Sequence, residues 1–437
     1  MRKHLIYVCL VACISCNIHR DIAKRANQFL ITDSIAQYAH IGISIYEPAT
    51  GKYWYEHNPE KYFVPASNTK LFTLYAGLEY LKDSIPAFKV LYLHDTAFIM
   101  PTGDPTFLNP EFPQQKPFQY LKAITLPLVF INSNWKEEAL GYGWSWDDFE
   151  SDDMIERNSF PIYNNVIRFS KSGYEKGRSP SQGLSISPET NWEISIDTTP
   201  DNKEFTIHRH RTDNIYNINL GSGNRKLLKI PFVTRGLKSA LGLLTDTLHK
   251  MVSLSGSAPP GNYTVINSRP ADSLFTTMMH RSDNFFAEQT LLMVSNEKLG
   301  YMNDVQIINY LITHDLTDIP QKPSWKDGSG LSRYNLFSPR DFVYILKKLE
   351  THFGFDRIKH ILATGGTGTL ASLYKKDSGY IYAKTGTLSN NVALSGYLIT
   401  KQHKFLVFSI LVNHFVSSAP PIRKAIESFL SGIRQHY

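Results

Sequence analysis

Ser67 and Lys70 stand three residues apart in Pro65-Ala66-Ser67-Asn68-Thr69-Lys70-Leu71. The segment they open has apolar residues at 71, 74, 75, 78 and 81, which is helical spacing, and Pro65 marks its start. On a helix, a spacing of three places two side chains on one face, about one turn apart. A serine hydroxyl is a weak nucleophile and needs a base. A lysine held in a partly desolvated place near another cation sheds its proton close to neutral pH. The helix N-terminus adds positive potential where an oxyanion would grow. Residue types and spacing together describe a serine acyl-transfer site with a lysine base.

The pattern S-x-x-K is common, and context has to select among its occurrences. Ser133/Lys136 and Ser372/Lys375 repeat it; Ser222/Asn224, Ser282/Asn284 and Ser389/Asn391 read S-x-N; Lys171–Gly173 and Lys384–Gly386 read K-[ST]-G. One ordered set stands out. Ser282-Asp283-Asn284 falls where SLFTTMMHRSDNFFAEQTLLMV breaks into two helices. Lys384-Thr385-Gly386 ends the strand-like YIYAKTG, ahead of NNVALSGYLIT and KFLVFSILVN, whose polar turn Lys401-Gln402-His403 predicts a hairpin. A serine–lysine pair, then S-D-N, then K-T-G is the order of penicillin-recognising serine enzymes. The chain has no G-x-S-x-G and no H-E-x-x-H, which argues against lipase and zinc-protease chemistry. Gly366-Thr367-Gly368 with Ala371 mimics a dinucleotide fingerprint but follows a helix and lacks a βαβ frame, so no nucleotide site is expected.

These motifs must be positioned by a chain of 437 residues, 42% hydrophobic and 19% charged. That balance excludes a disordered chain, and the length predicts two or three domains. HIGISIYE and KYWYEH read as two strands around the turn Pro48-Ala49-Thr50-Gly51. Between about 87 and 235 Gly, Pro, Asn, Asp and Ser are frequent, and short runs such as LPLVFIN and WEISI predict a β-rich region with long loops. From 236 the pattern is helical, through GLKSALGLLTDTLHKMV and a helix opened by Pro339-Arg340-Asp341 and running through Leu349. Ser67 precedes the change of texture, while Ser282 and Lys384 follow it. A single site therefore requires a discontinuous catalytic domain, residues 24–86 and 236–437, with 87–235 looped out as an inserted domain.

The N-terminus carries the three cysteines, Cys9, Cys13 and Cys16. A charged start, Met1-Arg2-Lys3-His4, precedes the apolar run LIYVCLVAC, which marks residues 1–16 as an export signal too short to span a bilayer. Leu10-Val11-Ala12-Cys13 resembles a lipobox, and Cys16 after Ser15 competes with it. Lipidation is expected at Cys13 or Cys16, with a plain cleaved signal as the alternative. No disulfide framework holds the folded part. Net charge is +7, with no Lys/Arg run interleaved with aromatics, so no nucleic-acid partner is expected. The densest basic spot, His208-Arg209-His210-Arg211, reads as an exposed basic strand or loop rather than a metal or phosphate site. Aromatics at 13% serve a packed core or shelves for sugar or peptide.

With these motifs the chain resembles the class C low-molecular-mass penicillin-binding proteins, the D-alanyl-D-alanine carboxypeptidase/endopeptidase family. Five stretches carry the likeness: PASNTKL (65–71), RSDNFFAE (281–288), DGSGLSRYN (327–335), GGTGTL (365–370) and AKTGTL (383–388). GDPTF, beginning at Gly103, and GWSWDD (143–148) resemble blocks of the family's inserted region. The long interval from Ser67 to Ser282 fits this family and not class A β-lactamases; it is shorter here than in the longer members. The resemblance implies an α/β (α+β) fold: a penicillin-binding transpeptidase-like domain, an antiparallel sheet flanked by helices, with a β-rich inserted domain. It implies that Ser67 attacks a D-Ala-D-Ala peptide bond, that Lys70 is the base, and that Ser282 relays a proton under the influence of Lys384. Asn284 would hold Lys70 and the substrate amide. Thr385 and Thr387 would bind the substrate's terminal carboxylate or the acyl strand, with Gly386 as part of the same substrate-binding set and the N–H groups of Ser67 and Thr387 as the oxyanion hole. Asp283 is either a substrate-side carboxylate or a capping one, and Gly328-Ser329-Gly330 reads as a structural turn. The implied partners are peptidoglycan peptides, with β-lactams as inhibitors, in the periplasm and without cofactor or metal. A membrane is reached only through the N-terminal lipid. A β-lactamase or esterase on the same residues, and a wall-binding receptor, are the rival readings.

Overall fold

The computed structural model describes residues 18–32, 36, 38–171, 183–197, 204–221, 223 and 226–437. The expected export signal with Cys9, Cys13 and Cys16 lies outside the described residues, as do Ser222/Asn224 and most of Lys171–Gly173. The chain forms two compact units, and both are discontinuous. The first comprises Met1–Glu79, Phe275–Asp283 and Ile308–Tyr437; the second comprises Tyr80–Leu274 and Asn284–Ile307.

In the first unit a six-stranded antiparallel sheet runs in the order Ala363–Thr364, Ile381–Leu388, Asn391–Ile399, Phe405–Asn413, His40–Glu47, Lys52–His57. The expected hairpins at 48–51 and 401–403 are both present. His40–Glu47 also pairs with Phe405–Asn413, from His40 opposite Asn413 to Tyr46 opposite Val407, so both ends of the chain complete one sheet. The strand period of two gives the sheet two different faces. One is aliphatic. Ile43, Ile45, Leu394, Phe408 and Ile410 pack there with Ile22 and Ala26 and with Ile426, Phe429 and Leu430 of the helix Ala419–His436. Its Ile422, Ile426, Phe429 and Ile433 recur at helical spacing behind Pro420-Pro421, a signal that lies beyond the motif-bearing segments. The other face carries small and polar residues: Gly42, Ser44, Ala393, Ser395 and Ser409. A Cβ on Gly42 would lie 2.5 Å from the Phe63 ring, so only glycine admits that close approach. The helix Pro339–Phe353 covers this face. Ser338 and Asp341 cap it reciprocally, and Tyr397 Oη donates to Leu346 O (2.7 Å).

Among the described residues the second unit holds three sheets. The largest runs Val252–Ser255, Leu128–Ile131, Thr96–Pro101, Ser84–Leu93, Thr264–Pro270; two three-stranded sheets complete it. Phe88, Phe107, Phe130, Phe160, Phe169, Tyr216 and Leu244 form its core. This unit is larger than the expected 87–235 insertion. Thr264–Pro270 pairs with Ser84–Leu93, Val252–Ser255 pairs with Leu128–Ile131, and the helix Lys238–Leu248 buries Leu241 and Leu244 in the same core. Further on, Gln289 Nε2 donates to Gly103 O and Asn158 O (both 2.9 Å). A change from β texture to helical texture at 236 is therefore not where the units divide. The expected exposed basic strand is exposed at His208 and buried at Arg209, because neighbouring side chains of the strand Thr206–Arg209 point to opposite faces.

A buried charge cluster braces this unit. Arg157, 1% exposed, meets Asp304 (2.7 Å), Glu288 (3.1 Å) and Glu137 (3.5 Å). One guanidinium cannot balance three buried carboxylates, and burial together with the Asp304 charge pushes Glu137 up to about 7, against the pull of Arg157. The folded chain therefore binds more protons than the unfolded one between pH 4.5 and about 7. This contribution is complete below 4.5 and fades as pH rises through 7. Glu137→Gln should flatten the fall in stability between pH 5 and 8 by about 2 kcal/mol. Arg157→Met should lose about 3–5 kcal/mol. Urea unfolding at several pH values checks both, and parallel pH profiles for wild type and Glu137→Gln would contradict the first.

Candidate active site

Ser67 lies in a single 3₁₀ turn, Ala66–Thr69, that feeds the helix Lys70–Tyr80. The turn is strained: Ala66 adopts φ +48°, left-handed for a residue that carries a Cβ. The loop of Gly328, Ser329 and Gly330 supports it from outside. Gly330 has φ +83°, and a Cβ there would come 1.9 Å from Ala66 O, so no other residue fits. Asp327 is wholly buried and accepts from the N–H groups of Gly330 (2.8 Å) and Ser332 (2.6 Å) and from Asn335 Nδ2 (2.8 Å). Thr73 Oγ1 donates to Gly328 O (2.6 Å). The expected structural turn is present, and it has a use. Ser329 O accepts from Lys70 Nζ at 2.8 Å, while the same ammonium donates to Ser67 Oγ at 2.9 Å. Lys70 is aimed at Ser67 by a backbone carbonyl, which the residue pattern alone did not reveal.

Ser282 occupies the break between the helices Ala271–Arg281 and Asn284–Leu299 with φ +60°. The Asp283 N–H donates to Met278 O (3.1 Å), which closes the first helix. Lys384 lies in the strand Ile381–Leu388; its Nζ donates to Ser282 Oγ (2.8 Å) and Thr385 O (2.7 Å). Lys384 is completely buried. Burial, and after it the charge of Lys70, hold its ammonium well below the usual lysine range. The serine–lysine pair and the S-D-N/K-T-G pair therefore sense each other electrostatically.

The K-T-G strand also touches the serine turn directly. A Cβ on Gly386 would stand 2.7 Å from Pro65 O and 3.1 Å from Ser67 N, which explains the glycine. The Asn68 amide spans the same junction, its nitrogen donating to Lys384 O (2.7 Å) and its oxygen lying 2.8 Å from Ser395 Oγ. The motifs do not include Ser395, and Asn68 enters them only as a spacer between Ser67 and Lys70. The available signal was a polar Ser395 within the buried strand NVALSGYLI. Thr387 Oγ1 accepts from Arg423 Nη2 (2.6 Å), a residue of the C-terminal helix for which the sequence offers no signal.

Ser67, Lys70, Ser282, Asp283, Lys384, Thr385, Gly386 and Thr387 all belong to the first unit. Asn284 opens the helix Asn284–Leu299 in the second, where its Nδ2 donates to Asp153 O (2.9 Å). The competing Gly366-Thr367-Gly368 is a tight turn, with the Gly366 N–H donating to Leu370 O (3.1 Å) and Gly368 against His280 O. The GDPTF block is also a turn: Asp104 Oδ1 accepts from Thr106 N (2.8 Å) and Oγ1 (2.6 Å). Chemically, the first unit offers a hydroxyl with an ammonium or amine at 2.9 Å, a second hydroxyl–lysine pair, and a backbone N–H against an extended strand. Those are the parts of acyl transfer.

A model of the D-Ala-D-Ala carboxypeptidase 3 (S13) family matches residues 27–433. Penicillin-sensitive carboxypeptidase A of Dictyostelium discoideum is 30% identical over 98 residues, 20% of this chain and 19% of that protein. Carboxypeptidase DacB of Mycolicibacterium smegmatis is 26% identical over 214 residues, 46% of this chain and 45% of that protein. The matches span less than half the length of these curated relatives. The crystal structure of penicillin binding protein 4 (dacB) from Haemophilus influenzae shares the fold, with a TM-score of 0.74 at 18% identity over 94% of this chain and 98% of that one.

The depressed Lys384 has a measurable consequence. The folded chain gives up this proton more readily than the unfolded chain, so its contribution to stability is complete above pH 10.5 and is lost as pH falls through the folded value. Lys384→Met removes the titrating group. Urea unfolding should show wild type gaining more stability than Lys384→Met between pH 7 and 10; equal gains would contradict a depressed lysine.

Proposed function

The chain belongs to the D-Ala-D-Ala carboxypeptidase 3 (S13) family, and we propose that it is a serine D,D-peptidase acting on peptidoglycan stem peptides through an acyl-enzyme on Ser67. The observation that carries this reading is the pairing of two hydroxyls with two buried lysines in one unit, Ser67 with Lys70 at 2.9 Å and Ser282 with Lys384 at 2.8 Å. Lys70 in its neutral form takes the Ser67 proton as Oγ attacks the carbonyl of a D-alanyl bond. The backbone N–H groups of Ser67 and Thr387 stabilise the oxyanion. Ser282 then passes a proton to the departing amine and is reprotonated by Lys384, whose Nζ stands 2.8 Å from its Oγ. Thr385 and Thr387 receive the substrate's terminal carboxylate or line the acyl strand. Asp283 serves either the substrate side or the cap of the neighbouring helix. Water releases the acyl group, and no cofactor or metal is needed for any of these steps. A β-lactam presents the same reactive carbonyl and would acylate Ser67; two relatives carry penicillin sensitivity or binding in their names.

The place of action is the periplasm, with a role in wall remodelling, and export proceeds through residues 1–16, with lipid attachment at Cys13 or Cys16. Among the described residues no helix is long and apolar enough to cross a membrane. The family carries both carboxypeptidase and endopeptidase readings, and product analysis separates them. Mass spectrometry after incubation with a monomeric pentapeptide stem and a cross-linked dimer should show loss of terminal D-alanine, cleavage of the cross-bridge, or both. Ser67→Ala should lower the rate at least about 10³-fold. An unchanged rate in that variant, or no product from either substrate, would overturn the proposal.

A further inference from the structure

The basic stretch His208–Arg211 plays no part in the peptidase chemistry, yet it borders a cavity of about 390 Å³ that lies wholly in the second unit. This volume falls in the range of small-molecule sites. One wall is aromatic, with Trp144, Trp146 and Phe149; the other carries Arg209 and Arg211. Arg211 lies over the Trp146 ring at 5.1 Å and Arg209 over Phe149 at 5.3 Å.

The two arginines differ. Arg209 is 4% exposed, and its terminal nitrogens donate to the carbonyls of His210 (2.7 Å), Arg211 (3.1 Å) and Phe149 (3.0 Å). It is a fixed part of the wall. Arg211 is exposed, and among the described residues it has no carboxylate partner; the Trp146 beneath it is 65% exposed. Glu156 lines the same cavity. Its Oε2 accepts both bonds from Thr234, N–H and Oγ1 (2.7 Å each), which leaves Oε1 for a ligand donor. The aromatic wall is preformed. Arg157 of the buried charge cluster lies 5.3 Å from the Trp144 ring, and it holds the preceding loop through Glu138 O (3.1 Å) and, by its N–H, Ala139 O (2.7 Å).

An exposed indole, Trp146, beside the half-buried Trp144, a cation and a carboxylate, suits a ring that is apolar on its face and polar on its rim. A simple anion would use Arg211 but meet Glu156 and leave the indoles idle. An aliphatic side chain would use the indoles and leave both charges unmatched. We infer that this cavity is a glycan subsite that takes an N-acetylated amino sugar: the sugar face on Trp146 and Trp144, its amide and hydroxyl oxygens accepting from Arg211, a hydroxyl donating to Glu156. The choice of an amino-sugar polymer rests on the proposed peptidoglycan function. The subsite gives the second unit a role of its own, holding the glycan strand that bears the stem peptides.

Isothermal titration calorimetry of the purified chain with N-acetylchitotetraose tests this, alongside acylation by a fluorescent penicillin. Wild type should bind the sugar saturably. Trp146→Ala and Arg211→Ala should each weaken binding at least about fivefold while acylating at the wild-type rate. Both side chains are exposed, so their truncation leaves the fold intact, and the acylation rate reports it. A wild-type chain that acylates but does not bind the sugar, or variants that bind it as wild type does, would overturn the subsite. Sugar binding without any acylation of wild type would retain the subsite and reject the peptidase reading.

Discussion

Two lysine ammonium groups, Lys70 and Lys384, are buried completely in one unit, close enough for the charge of one to depress the proton affinity of the other. Burying one such charge is costly, and burying two of the same sign is more so. Much of the surrounding structure makes this arrangement tolerable and useful. Each ammonium has a hydroxyl and a backbone carbonyl as acceptors: Ser67 Oγ and Ser329 O for Lys70, Ser282 Oγ and Thr385 O for Lys384. These four acceptors are neutral. In the proposed mechanism a pair held this way takes up and releases the proton of the Ser67 nucleophile.

That requirement accounts for several features otherwise hard to explain. The left-handed Ala66 and the glycine at 330 let the two loops close on each other, which brings Ser329 O to Lys70. Gly386 lets a sheet strand touch the serine backbone, and Asn68 locks that junction. The sheet is asymmetric for the same reason. Its aliphatic face carries the bulk of the packing, while the face with Gly42, Ser395 and Ser409 gives close approach and polar partners. Residues so far apart in the chain meet because Phe275–Asp283 joins the first unit as a single short passage between two longer excursions into the second.

Much of this was legible in the residue order. S-D-N lies at the expected helix break and K-T-G within the expected strand, while Ser67 lies in a 3₁₀ turn just ahead of the helix that Lys70 opens. The hairpins at 48–51 and 401–403 announced themselves by turn residues between alternating strands. What was not legible depends on contacts distant in sequence. Ser329 acts through its carbonyl, and a carbonyl has no residue type. Asn68 and Ser395 are small polar residues whose meaning comes only from each other. The unit boundary was hidden because the helix Lys238–Leu248 has the same pattern whether it packs on one core or another. Arg209 looked like surface charge until strand alternation turned it inward.

The central claim is that Ser67 is the nucleophile and that the buried lysines make it one. Intact-mass measurement after exposure to benzylpenicillin, followed by mapping of the tryptic peptide Tyr62–Lys70, addresses it most directly. The account predicts one penicilloyl group per chain, carried on Ser67, and none in Lys70→Met. An adduct on Ser282 or elsewhere, or full acylation of Lys70→Met, would contradict it.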